Sequence, residues 1–214
     1  MDKKKFLDIS LSVGLPIVLY AILFTPNLTP VHELTITTSG AVKTVLIEVF
    51  QIAIILAALI FGTKIKLADT GLYSFKIYDL LKVIFGLMTI LIVFFAFNLI
   101  FACFGQQNDL KVKLQTSYLA LAAMMLSVGY CEEFFFRVYA FESFRKYIDG
   151  RISAIISALL FCCGHFYEGF AAVIIIFFMR LGFQYLYKKY RSIHVLAIVH
   201  ALFNVISTVI SSSL

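Results

Sequence analysis

Glu132 and Glu133 stand side by side, with Arg137 four residues further on, inside the run Gly129-Tyr130-Cys131-Glu132-Glu133-Phe134-Phe135-Phe136-Arg137. One ionised side chain at the centre of a membrane helix costs about 2.5–3.5 kcal/mol on insertion scales, so three within six residues of an apolar stretch call for a function. On a helix Glu133 and Arg137 share a face, whereas Glu132 is turned about 100° from its neighbour. The expectation is that Arg137 holds Glu133 in a supporting ion pair. Glu132 is then free to carry a perturbed proton affinity and to act as a general base.

Two later patterns add the other groups a hydrolytic site needs. Phe161-Cys162-Cys163-Gly164-His165 ends one apolar stretch, and His200-Ala201-Leu202-Phe203-Asn204 lies within the last. A histidine and an asparagine four apart on one helix face offer hydrogen-bond donors to a developing oxyanion, and an imidazole offers a metal ligand. Each pattern alone is weak. Together they bring two acids, two histidines, an amide and an arginine into about 70 residues. His32 falls in a loop and His194 at a segment boundary, so neither is given a catalytic role. The chain has no His-Glu-x-x-His and no Gly-x-Ser-x-Gly. Cys103, Cys131, Cys162 and Cys163 all lie in apolar stretches and are read as thiols used for packing.

The elements that must position these groups are membrane helices. Of 214 residues, 62% are hydrophobic and 14% charged, which excludes an ordinary water-soluble domain. The expected architecture is all-α: a single integral membrane domain over residues 1–214, a polytopic bundle of about seven spans (six to eight). Those spans are 6–25, 42–62, 80–104, 116–139, 152–165, 170–187 and 193–211, helical because lipid offers backbone groups no other partner. The net charge of +6 is spread over segment ends, which argues against a nucleic-acid partner and for membrane orientation. With the N-terminus cytoplasmic, fourteen Lys and Arg fall on the inner side and three, Lys43, Lys111 and Lys113, on the outer, Arg180 remaining within the sixth span. Arg180 either snorkels inward or pairs with a buried acid. Residues 26–40 read as an extended surface connection without chemistry, and residues 63–79 as an interfacial segment along the inner leaflet.

Glu132-Glu133 with Arg137, Phe161 with His165, and His200 with Asn204 match in order the three motifs Glu-Glu-x-x-x-Arg, Phe-x-x-x-His and His-x-x-x-Asn. In these the chain resembles the CPBP intramembrane protease family, which comprises type II CAAX prenyl proteases and Abi bacteriocin-processing proteins. The likeness covers about residues 71–207. It implies an endopeptidase acting on a membrane-associated peptide or protein, such as a CAAX-type or leader-peptide substrate, close to the cytoplasmic half of the bilayer. By carry-over Glu132 and His165 activate a water, Glu133 and Arg137 support that base, and His200 and Asn204 stabilise the oxyanion. Whether a divalent metal such as zinc takes part stays open at this stage; its ligands would be Glu132, His165 and His200 from three helices. The short lysine-rich loops have a bacterial look. The implied partners are membrane lipid and a peptide or membrane-protein substrate. The alternatives are a proton- or ion-coupled transporter and a non-catalytic bacteriocin-immunity membrane protein.

Overall fold

A computed structural model describes residues 7–24, 31–63, 65, 70–72, 75–105 and 110–213. Among the described residues seven apolar helices run in chain order: α1 (Leu7–Leu23), α2 (Thr38–Gly62), α3 (Asp79–Cys103), α4 (Tyr118–Phe144), α5 (Gly150–Cys163), α6 (Phe170–Tyr190) and α7 (Ile193–Ser213). They form an all-α membrane bundle at the expected positions. Five of them are long and apolar enough to cross a bilayer, while α1 and α5 are shorter. The N-terminal lysines, Pro26, Pro30 and much of the 63–79 connection lie outside the described residues.

Two departures from the expected fold bear on the site. The first is a small sheet. Glu33–Thr37 (β1) pairs in parallel with Lys111–Gln115 (β2), so the segment expected to be a bare connection is a strand. Each strand feeds a helix whose first turn is capped by a hydroxyl: Thr37 accepts from the Gly40 amide at α2, and Ser117 from the Ala120 amide at α4. Thr38 donates to the Thr116 hydroxyl at 3.1 Å, which locks the two helix starts together. The Val31 amide donates to the Tyr167 carbonyl, tying β1 to the turn between α5 and α6. The second departure is at the end of α4, where Phe134–Phe141 winds as a π-helix directly after the two acids. All eight of its residues are buried. Ser157 of α5 donates to the Phe136 carbonyl at 2.9 Å within this stretch, so the widened turn keeps a hydrogen-bond partner.

Helix α4 packs against α7 through small residues. A Cβ added at Gly129 would lie 2.6 Å from the Ala197 carbonyl oxygen, so only glycine permits this approach. The contact brings Glu132 and Glu133 against His200. Gln51 of α2, polar at membrane depth, donates to the Leu23 carbonyl at 2.7 Å and satisfies the end of α1.

The two ends of the bundle differ in charge. Lys76, Lys82, Arg145, Lys146, Arg151, Lys188, Lys189 and Arg191 gather at the end where α4 and α6 finish and α5 and α7 begin. The sheet lies at the other end with Lys43, Lys111 and Lys113. Arg137, counted among the inner charges from sequence, is buried inside the bundle instead and does not report orientation.

Candidate active site

Glu133 is completely buried and saturated with positive partners. Its Oε2 accepts from Arg137 Nε at 3.0 Å, and its Oε1 accepts from Arg180 Nη1. Arg137 is braced further, donating to Gln184 Oε1 at 3.1 Å and to the Arg180 carbonyl at 3.3 Å. Taking a carboxylate out of water is tolerated only when it is paired and hydrogen-bonded in this way. Arg180 thus proves to be the partner of the buried acids and not a snorkelling residue.

Glu132 points elsewhere. Its side chain is 15% exposed, against 0% for Glu133, and opens onto a cavity of about 510 Å³. Its Oε2 lies 3.3 Å from Arg180 Nη2 and 3.5 Å from His200 Nε2. The other nitrogen of His200 is 3.1 Å from Glu133 Oε1, in ion-pair range but off the line of an aligned hydrogen bond. His200 therefore sits between the two carboxylates.

The Phe161–His165 spacing has a physical reason. The two rings stack at 4.3 Å, and the Arg180 guanidinium lies 3.2 Å from the centre of the Phe161 ring. One phenylalanine thereby positions both the arginine and the histidine. His165 lies just past the last residue of α5, with Nδ1 3.1 Å from the Phe161 carbonyl oxygen. A carbonyl only accepts, so Nδ1 carries the hydrogen and Nε2 of the neutral ring presents its lone pair. Burial pushes the His165 imidazole down to about 4, which favours that neutral ring.

Glu132, His165, His200 and Asn204 all line the cavity, which lies between α3, α4, α6, α7 and the sheet. The imidazole in ion-pair range of Glu132 is His200; His165 meets it as a fellow wall of the cavity. Sequence reasoning did not pick out further polar groups on the wall, Glu168 and Asn98 among them. Glu168, in the turn after His165, brings Oε1 to 3.9 Å from His165 Nε2, and Asn98 joins the wall from α3. The glycines flanking that turn, Gly164 and Gly169, were the available signal. Leu34–Thr37 of β1 also lines the cavity, so part of the 26–40 connection borders the site.

A resident metal does not fit. Among the described residues no three His, Cys, Asp or Glu side chains gather closely enough to hold one. The Arg180 guanidinium, 3.3 Å from Glu132 Oε2, also sets a positive charge against any cation held by that carboxylate.

Residues 114–206 match the family model described as type II CAAX prenyl endopeptidase, Rce1-like. This is the family to which the three motifs point, and all of Glu132, Glu133, Arg137, His165, His200 and Asn204 fall inside the matched segment. The chain is a multi-pass membrane protein in which the segment 114–206 is similar to the CAAX-type endopeptidase family model. No curated protein and no solved structure matches it.

Proposed function

We propose that the chain is an intramembrane endopeptidase that hydrolyses a peptide bond with a water activated by Glu132 and His165. The observation that carries this reading is the division of labour between adjacent acids: Glu133 is neutralised by two arginines, while Glu132 faces a cavity shared with His165, His200 and Asn204. Water in that cavity donates one hydrogen to the Glu132 carboxylate and the other to the His165 Nε2 lone pair. Its oxygen then attacks the scissile carbonyl carbon while Glu132 takes the proton. The carbonyl oxygen becomes an oxyanion facing the Asn204 amide, with the Arg180 guanidinium on the same side of the site. Collapse of this intermediate breaks the C–N bond, and Glu132 returns the proton to the leaving amine. One water is consumed, and a carboxylic acid and an amine are released. His200, between two carboxylates, orients Glu132, and the Glu133–Arg137 pair fixes the helix face that carries the base.

The arrangement needs no metal step. The test is to compare membranes containing the wild type with membranes containing Glu132→Ala or His165→Ala, and to read peptide termini by mass spectrometry. Termini present with the wild type and missing with both variants, at equal protein levels, are the expected result. A pH-driven ion flux that survives in the Asn204→Ala variant, with no change in termini, would instead assign the site to transport.

A further inference from the structure

We infer that the cavity is reached from the non-cytoplasmic face of the membrane, so that the bond cleaved belongs to an exported peptide or to the outer segment of a membrane protein. The substrate class rests on the endopeptidase reading; the direction of access does not.

Three observations converge. The first is the course of the cavity. It starts at mid-helix, at Glu132 in the 27-residue α4 and at Arg180 in the 21-residue α6, and runs to Thr35 of β1, Val112 of β2 and Ser211 near the end of α7. All three of these residues belong to the sheet end, where Leu34 on the cavity wall is 39% exposed. The second is the seal at the opposite end. Below the acids, Phe135, Val138, Tyr139, Phe141 and Phe144 are each 0% exposed, and no residue of the basic end lines the cavity. Neither water nor an extended peptide passes through a plug of that density. The third is charge. Eight described Lys and Arg mark the sealed end and three mark the sheet end, and an excess of Lys and Arg in short connections marks the cytoplasmic side. The open end is therefore the outer one. This reverses the expectation that cleavage falls in the cytoplasmic half of the bilayer.

The sheet gives the entrance its form. Its parallel pairing fixes the starts of α2 and α4, and the Val31–Tyr167 bond joins it to the turn carrying His165 and Glu168. A substrate entering here passes β1 before it meets the catalytic groups.

The test uses the full chain in intact cells, with Cys103→Ser to remove the exposed native thiol. A single cysteine is introduced by Ser211→Cys at the cavity mouth or by Lys188→Cys at the basic end, and each is treated with a sulfonated, membrane-impermeant maleimide. Labelling of Ser211→Cys in intact cells, with Lys188→Cys labelled only after permeabilisation, is the expected result. The reverse pattern overturns the inference. In the second arm, the peptide termini lost in Glu132→Ala membranes are mapped onto their precursors. Termini in outer segments support the substrate class, and termini in cytoplasmic segments overturn it. If no terminus depends on Glu132 while the mouth labels from outside, the endopeptidase reading fails and the direction of access stands.

Discussion

Arg180 on α6 reaches Glu132 on α4 at 3.3 Å with one guanidinium nitrogen, while the other donates to Glu133. A planar fork spans two carboxylates in a way that a point charge does not. Arg180→Met leaves buried negative charge uncompensated and is expected to destabilise the fold by about 3–5 kcal/mol. Arg180→Lys keeps the charge but gives up simultaneous contact with both acids. It is expected to fold and to turn over slowly. Thermal unfolding in detergent, read beside peptidase turnover, separates the two effects; equal activity of Arg180→Lys and wild type would show that the bridge to Glu132 is unimportant.

Asn204 offers an amide to the cavity one turn beyond His200 on α7. If it faces the developing oxyanion, its loss acts on the transition state and not on substrate binding. Asn204→Ala is expected to lower kcat by about 10²–10³-fold with little change in KM, since that is the usual cost of losing one oxyanion donor. A rise in KM at constant kcat would place Asn204 in substrate binding.

Gly129 permits the α4–α7 approach that sets Glu132 and Glu133 against His200. An alanine methyl there would meet the Ala197 carbonyl at 2.6 Å, and backbone does not yield as a flexible side chain does. Gly129→Ala is expected to push the helices apart and to reduce activity far more than the same change at Gly150, where an added methyl meets nothing within 4 Å. Equal activity in the two variants would count against the close crossing.

What could be read from the chain and what could not follows from the range of the interactions. Helices stand at all seven apolar stretches because lipid leaves backbone groups no other partner, but only five of the seven expected spans are long enough to cross a bilayer. The Glu133–Arg137 pair was legible because its spacing is a local property of a helix. Arg180 was visible as an isolated charge, but its partners lie 47 and 48 residues away, and only packing chooses between them. The sheet escaped for the same reason. Leu34-Thr35-Ile36-Thr37 alternates as a strand does, yet its mate begins at Lys111, beyond two helices. Glu168 escaped because a carboxylate in a turn ordinarily points to water, and the flanking Gly164 and Gly169 announce the turn but not the cavity.

Glu168 also yields a dependence on pH. Burial pushes its carboxyl up to about 7, and with His165 neutral the 3.9 Å contact between them is not a charge pair at neutral pH. Below the ordinary glutamate value the folded and unfolded chains are both protonated here. Between that value and about 7 the unfolded chain has released a proton that the folded chain keeps, so stability falls as pH rises, then levels off above about 7. Glu168→Gln holds the neutral form throughout and is expected to flatten this slope, with a higher melting temperature than wild type at pH 8 and little difference at pH 4. In peptidase assays the same variant removes a negative charge that forms beside His165 Nε2 as Glu168 ionises. The wild-type rate should therefore change through pH 7 along a limb that Glu168→Gln lacks. Melting curves of the two proteins that stay parallel from pH 4 to 8 would mean that Glu168 is already ionised throughout, and that the turn after α5 is open to water.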